Sequence, residues 1–134
     1  MFRLLKIENA RMNVPEPEYL DAKDSEVISI GEALTLSAGG LTKCTGTTKP
    51  THIAMGEKAA ADTNRRMPAC RVESNQVYAV PVTAAPTSAL VPGAKVTIYT
   101  DGLQVTAAPT TDGVVTVIDK NGATAVGDEI IVRF

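Results

Sequence analysis

The last forty residues, 95–134, read KVTIYTDGLQVTAAPTTDGVVTVIDKNGATAVGDEIIVRF. Short runs rich in valine, isoleucine and threonine alternate here with the pairs Asp101-Gly102, Asp112-Gly113 and Asn121-Gly122. Such pairs are preferred in two-residue hairpin turns, and β-branched residues favour strands. The stretch therefore predicts the closely spaced strands of a small sandwich or barrel. These strands are expected within residues 95–100, 103–107, 113–119 and 129–134.

The preceding part of the chain carries the same signals. EALTLS, residues 32–37, alternates leucine with small or polar residues, and AGG, residues 38–40, supplies a tight turn that returns through residues 41–45. GEKAAADTNRR, residues 56–66, has no sustained apolar stripe and predicts at most one or two helical turns. We therefore predict an all-β fold, a small β-barrel or β-sandwich. Its other strands are expected within residues 52–57, 68–73 and 76–82.

The first 25 residues differ in composition from the rest. Pro15 and Pro17 fix φ and favour extended conformations in the residues before them, and acidic side chains are frequent around them. We predict an extended N-terminal arm over residues 1–25 and a single β-rich domain over residues 26–134. The alternative is a disordered tail, because few apolar groups are present to offset the entropy lost on ordering.

Two parts of the sequence are candidates for contact with a protein partner. FRLLKI, residues 2–7, offers an alternating edge that can pair with a neighbouring strand, through Phe2, Leu4 and Ile7. Arg65 and Arg66 belong to a local basic cluster that suits an acidic partner surface. The alternative for the two arginines is a solvated loop.

Length, charge and cysteine content narrow the function. The chain of 134 residues fits one domain, and its net charge of −2 with scattered basic residues argues against direct nucleic-acid binding. The N-terminal residues lack the apolar run of a signal peptide or a membrane span, so we expect synthesis inside the cell and no membrane partner. Cytosolic synthesis disfavours disulfides, and Cys44 and Cys70 are predicted to be free, buried thiols.

No set of residues predicts catalysis, cofactor binding or metal binding. His52 is the only histidine, and no spacing supplies the further ligands of a metal site or the partners of a catalytic triad. It is interpreted as a surface or hydrogen-bonded histidine. Asp101, Asp112, Asp119 and Asp128 are interpreted as turn residues, since the spacing of a calcium-binding EF-hand is absent. A binding or structural role is favoured over an enzymatic one.

The order of these parts resembles the small head decoration, or capsid cement, proteins of tailed bacteriophages and prophages. The similarity covers most of residues 26–134. It rests on IGEALTLSAGGLTKCTGTTKPTHIAM at residues 30–55, RRMPACRV at residues 65–72, and a closing segment that ends in VGDEIIVRF at residues 126–134. The resemblance implies a β-tulip-like barrel or sandwich, with no catalytic residues.

The resemblance also implies a function. Decoration proteins bind the major capsid protein on the outside of an assembled icosahedral shell, often as homotrimers, and reinforce the shell against packaged DNA. The chain is then expected on the capsid exterior of the virion, after synthesis in the cytoplasm of the bacterial host. Two other classes stay open: another β-rich virion component, such as a head–tail connector or a tail subunit, and a small-molecule or carbohydrate-binding β-barrel. The scarcity of aromatic residues, 4% of the chain, argues against the last.

Overall fold

A computed structural model describes residues 1–10 and 15–134 of the chain. In these residues the chain forms ten strands and no helix, so no described segment is a helix of the length and apolarity that a membrane crossing requires. The strands form two antiparallel five-stranded sheets. The first sheet contains, in spatial order, β1 (Arg3–Ile7), β7 (Gln76–Pro81), β10 (Glu129–Arg133), β9 (Val115–Asp119) and β8 (Lys95–Val96). The second contains β2 (Pro17–Asp21), β6 (Arg66–Arg71), β5 (His52–Ala54), β3 (Ala33–Ser37) and β4 (Gly40–Lys43).

The prediction of an all-β fold is confirmed, and the architecture is a β-sandwich rather than a closed barrel. One predicted strand is wrong, because residues 103–107 form no ladder and Val105 makes only isolated bridges to Val82 and Ile98. The chain turns back sharply here, with the Tyr99 N–H donating to the Gln104 carbonyl oxygen at 2.9 Å. The turn therefore ends the ladder soon after β8.

The main hydrophobic core lies between the two sheets. In a strand, alternate side chains point to the same face, and the buried valines and isoleucine of β9 and β10 follow this period. Ala33 and Ile53 contribute from the second sheet. From the first sheet the core receives Tyr78, Val80, Val96, Val115, Val117, Ile130 and Val132.

Three aromatic rings meet within this core. Phe2 precedes β1, Phe134 follows β10, and Tyr78 belongs to β7 between those strands. The ring centroids of Phe2 and Phe134 are 5.2 Å apart, and those of Tyr78 and Phe134 are 5.4 Å apart. The buried Tyr78 hydroxyl donates to the Gln76 Oε1 atom at 2.5 Å, which satisfies its polar end. Both ends of the chain are thus anchored at one point of the core.

The N-terminal segment supplies strands to both sheets. Residues 3–7 form β1, which pairs with β7, and residues 17–21 form β2, which pairs with β6. Residues 1–25 therefore contribute a strand to each sheet. Tertiary apolar contacts, which local composition does not reveal, offset the ordering cost, and Pro17 is tolerated because β2 is an edge strand. Residues 11–14 of the predicted arm lie outside the described residues.

The second sheet curls around a smaller core of its own. A parallel bridge joins Ala22, directly after β2, to Leu41 in β4, so the two edge strands meet at one end of the sheet. Ile28 covers the concave face and is held there by two backbone hydrogen bonds of 2.9 Å with Lys58. The other buried side chains on this face are Leu34, Ala54, Met67 and Ala69.

The predicted turns have different outcomes. The hairpin after residue 37 is confirmed, since Ser37 pairs with Gly40 and Gly39 takes a φ of 93°. At Asp112-Gly113 a turn forms, with the Gly113 N–H donating to the Thr110 carbonyl oxygen at 3.4 Å, but the predicted hairpin is wrong because residues 103–107 form no strand before it. Gly113 also permits close packing against β8, since a Cβ there would lie 2.6 Å from the Val96 backbone nitrogen.

We expect the Phe2→Ala substitution to lower the free energy of unfolding by about 3–5 kcal/mol, because it removes a ring from a closely packed aromatic cluster. Urea unfolding followed by far-UV circular dichroism measures the change. Leu5→Ala is the matched control, since Leu5 is exposed and should cost no more than about 0.5 kcal/mol. Wild-type stability of Phe2→Ala would show that the N-terminal strand is not part of the cooperative core.

Candidate protein-interaction surface

An apolar groove of about 350 Å³ opens beside the start of β1, between the two sheets. Its rim carries three exposed apolar side chains, Met1, Ile30 and Met55, with exposed fractions of 51%, 48% and 40%. Leu4 lines a wall, and the buried Phe2 lies at the bottom. A concave surface with exposed apolar side chains around it suits the apolar side chain of a partner.

Gly31 holds the two sides of the groove together. The Phe2 N–H donates to the Gly31 carbonyl oxygen, and the Gly31 N–H donates to the Ala54 carbonyl oxygen, both at 2.8 Å. A Cβ at Gly31 would lie only 2.7 Å from the Met1 Cβ, and the residue has a φ of 74°. Only glycine accommodates both conditions, so this position fixes Met1 and Ile30 at the rim.

Among residues 1–10 and 15–134, β1 is an edge strand, and the edge that faces away from β7, here called its open edge, borders the groove. The Phe2 N–H points to Gly31 and not to β7. In a strand, the backbone N–H and C=O groups of residues two positions apart point in the same direction, so those of Leu4 also point away from β7. The ladder with β7 is interrupted between Leu4 and Lys6, which leaves Leu5 in a bulge. Bulges and charged side chains limit pairing at a sheet edge. The open edge is therefore short and lies next to the groove.

A row of apolar side chains crosses the second sheet next to the groove. Tyr19 on β2 lies directly opposite Pro68 on β6, and the Met55 N–H donates to the Pro68 carbonyl oxygen at 3.0 Å. Directly opposite residues share a face, so we call Tyr19, Pro68 and Met55 the apolar row. The next row on that face includes Ile53 and Cys70, both buried, whereas Tyr19 is 57% exposed. The first sheet thus covers one row and leaves the apolar row uncovered.

Two opposite charges lie at the end of the apolar row. Asp21 and Arg66 lie directly opposite each other, two residues along from Tyr19 and Pro68, and therefore on the same face. Both side chains are exposed. Within the described residues neither takes part in an ion pair. The row therefore ends in an anion and a cation side by side.

Arg65 has a different environment from its neighbour. Its Nε donates to the Ala22 carbonyl oxygen and its Nη2 to the Gly39 carbonyl oxygen, both at 2.8 Å. Its Nη1 lies 3.1 Å from the Asp24 carboxylate. These contacts join the end of β2 to the β3–β4 hairpin. Arg65 thus stabilises the curl of the second sheet, and Arg66 is the arginine that faces outward.

His52 is buried and hydrogen-bonded, which is one of the two interpretations made from the sequence. Its Nδ1 lies 2.9 Å from the Thr51 Oγ1, and its Nε2 lies 3.3 Å from the Glu18 carboxylate. Arg71 donates to the same carboxylate at 2.7 Å. Hydrogen bonds from Arg71, and then from His52, lower the pKa of Glu18. Both ring nitrogens of His52 are therefore engaged by its own chain.

Glu32 is a buried carboxylate whose charge is only partly compensated by its hydrogen bond and its nearby cation. Its Oε2 accepts a hydrogen bond from the Ser29 N–H at 2.9 Å, while Oε1 lies 3.6 Å from the Lys43 ammonium and accepts none. Burial raises the pKa of Glu32, and the Ser29 and Lys43 interactions oppose the shift only in part. The ionised carboxylate is therefore unfavourable to the fold at neutral pH.

The two cysteines are free and buried, as predicted. The Cys44 thiol contacts the Thr48 carbonyl oxygen at 3.2 Å. Burial raises the pKa of both Cys44 and Cys70, which keeps the thiols protonated and unreactive. Within residues 1–10 and 15–134, no group of three or more His, Cys, Asp or Glu side chains is arranged to hold a metal ion.

The five residues predicted to contact partners lie in different environments. Phe2 is only 3% exposed; its ring completes the core and lies at the bottom of the groove. Leu4 is half-buried on the groove wall, and Ile7 is half-buried at the far end of β1. Arg65 is bonded within the chain, and Arg66 is exposed beside the apolar row. Leu4 and Arg66 thus adjoin the candidate surface.

The sequence did not predict the most exposed side chains of the groove rim and the apolar row. Tyr19 shares one face of β2 with Pro17 and Asp21. The prolines at positions 15 and 17 led to the prediction of an arm rather than a strand here. Met55 and Ile30 come from separate segments, which backbone hydrogen bonds such as that from Gly31 to Ala54 bring together. No local sequence pattern predicts that Met55 and Ile30 lie close together.

Replacing Arg65 by alanine should lower the free energy of unfolding by about 1–3 kcal/mol, because two carbonyl oxygens lose charge-assisted hydrogen bonds. Arg66→Ala is the matched control and should change it by no more than about 0.5 kcal/mol. Denaturant unfolding of dilute protein compares the two. Equal effects of both substitutions would contradict the assigned role of Arg65.

The Glu32→Gln variant tests the buried carboxylate through pH. Gln keeps the acceptor for the Ser29 N–H but has no charge to bury, so we expect it to be more stable than the wild type at pH 7. Because the pKa of Glu32 is raised in the folded state, the wild type gains stability relative to the variant as pH falls through that pKa toward the unfolded value. Urea midpoints at several pH values measure the difference, and a constant difference would contradict the assignment.

The chain matches no protein-family model, no curated protein and no solved structure. The surfaces around the groove and the apolar row are the structural basis for a functional proposal.

Proposed function

We propose that this chain is a non-enzymatic structural protein of a bacteriophage or prophage that binds the outer surface of the capsid and stabilises it. Its partner is the major capsid protein, and its location is the capsid exterior of the virion, after synthesis in the cytoplasm of the bacterial host. The resemblance of residues 26–134 to decoration proteins supports this function, and the β-sandwich is compatible with the fold that the resemblance implies.

The observation that carries the proposal is the apolar groove beside the open edge of β1. An extended segment of the capsid protein placed along this edge exchanges backbone hydrogen bonds with the peptide groups of Leu4. One of its apolar side chains then enters the groove among Met1, Ile30 and Met55. Strand addition supplies affinity from the backbone, and the groove supplies selectivity.

The strength of one such contact is modest. Burying one Leu- or Val-sized side chain contributes about 1.5–3 kcal/mol before the costs of association. A shell offers many equivalent positions, and the resemblance implies trimers on which several grooves act together. Several contacts made at once by linked copies raise the overall affinity, so weak binding at each groove is compatible with firm attachment to a shell.

We expect the Ile30→Glu substitution to weaken binding to the capsid by about tenfold or more, because it places a charge at the rim of the groove. The measurement is co-sedimentation with empty, expanded capsids of the phage that encodes the chain. Val91→Glu is the matched control: Val91 is also apolar, is 51% exposed, and lies near β9 at the opposite side of the first sheet from β1.

The outcomes separate the candidate functions. Equal binding by the Ile30→Glu and Val91→Glu variants would show that the groove does not contact the capsid. Absence of binding by the wild type would refute the decoration function. Rings or tubes formed by the isolated wild type would instead favour a connector or tail subunit.

A further inference from the structure

The apolar row and the two charges at its end form a self-complementary surface. The exposed Tyr19 and the partly buried Pro68 supply apolar area, and Asp21 and Arg66 supply one charge of each sign. A partner that matches this surface needs apolar area beside one anion and one cation. The same surface of another copy of this chain has that composition.

The position of the charges fits a two-fold axis. Asp21 and Arg66 lie directly opposite each other on neighbouring antiparallel strands. Consider a two-fold axis that lies in the plane of the contact and runs between these two residues, parallel to the strands. Half a turn about this axis brings Arg66 of one copy to Asp21 of the other, and the reverse. A two-fold contact uses the same patch on both copies, so each charge finds its opposite twice.

Neighbouring contacts leave these charges available. Arg65 is bonded to carbonyl oxygens and to Asp24, and Arg71 is paired with Glu18. Asp21 and Arg66 have no such partners among the described residues. Pro17 at the start of β2 hinders strand addition at that edge, which favours a face-to-face contact over extension of the sheet.

We propose that a second copy of this chain binds the surface formed by the apolar row, Asp21 and Arg66, in a two-fold, face-to-face contact. Tyr19 is the central apolar anchor, and the two Asp21–Arg66 pairs set the orientation. This contact goes beyond capsid binding, because it joins copies of the chain in solution. Met55 belongs both to the apolar row and to the rim of the groove, whereas Tyr19, Asp21 and Arg66 lie outside the groove.

Charge reversal tests the contact with the full chain. Asp21→Arg gives a surface with two cations, and Arg66→Asp gives one with two anions, so each variant repels its own copies. We expect sedimentation velocity to show a concentration-dependent dimer for the wild type and dimerisation about tenfold or more weaker for each variant. An equimolar mixture of the two variants should restore the dimer, because a cationic surface then meets an anionic one.

Two further variants separate charge from packing. The double variant Asp21→Arg/Arg66→Asp exchanges the charges and should dimerise like the wild type, whereas Tyr19→Ser should weaken dimerisation without changing charge. Circular dichroism of each variant checks folding. A monomeric wild type, a trimer as the smallest assembly, or a mixture of variants that stays monomeric would overturn the proposal.

The capsid assay is independent of these results. A wild type that binds capsids but never dimerises overturns the two-fold contact alone, and a dimer that binds no capsid overturns the decoration function alone. If Asp21→Arg and Arg66→Asp weaken capsid binding while the wild type stays monomeric, the surface faces the capsid protein instead of a second copy.

Discussion

The packing of Phe2, Tyr78 and Phe134 is the contact on which the rest of the molecule depends. The chain has only two phenylalanines and three tyrosines, and three of these five rings meet in one cluster. Through them the residue before the first strand and the residue after the last strand both pack on β7. The order β1–β7–β10 follows from this contact, and so does the groove, because Phe2 and Tyr78 line it. Core packing and surface shape therefore have the same origin.

Two further contacts connect this core to the second sheet and give that sheet its shape. Gly31 hydrogen-bonds both to Phe2 and to Ala54, so one residue ties the first strand to β5. Arg65 joins the two edges of the second sheet at the opposite side of its curl. This sheet extends past the cover of the first sheet by two cross-strand rows, the apolar row and the Asp21–Arg66 pair. The exposure of Tyr19 is a consequence of this offset, which explains why an aromatic residue remains outside a chain with so few.

Local sequence patterns predicted most of the strands but not their partners. The alternation of residues 32–37 and the glycine at position 39 define a hairpin because both act between near neighbours. The pairing of β1 with β7 joins residues 69 to 76 positions apart, and no local pattern contains that information. The prolines at 15 and 17 favoured an arm because propensity ignores edge positions, where proline is accommodated. The candidate surface was predictable only in part for the same reason: Arg66 is visible as a charge, whereas its position beside Tyr19 depends on register.

The side chains around the groove suggest why a stable sandwich presents an adaptable contact. Two of the three rim residues are methionines, Met1 and Met55, whose unbranched side chains change rotamer at low cost and fill irregular gaps. The floor below them is built from rigid rings in a close-packed core. In the proposed function, a partner strand meets a fixed backbone edge and side chains that adjust to it. That division suits the proposed binding to a curved shell, where equivalent sites differ slightly in geometry while the chain that binds them keeps one fold.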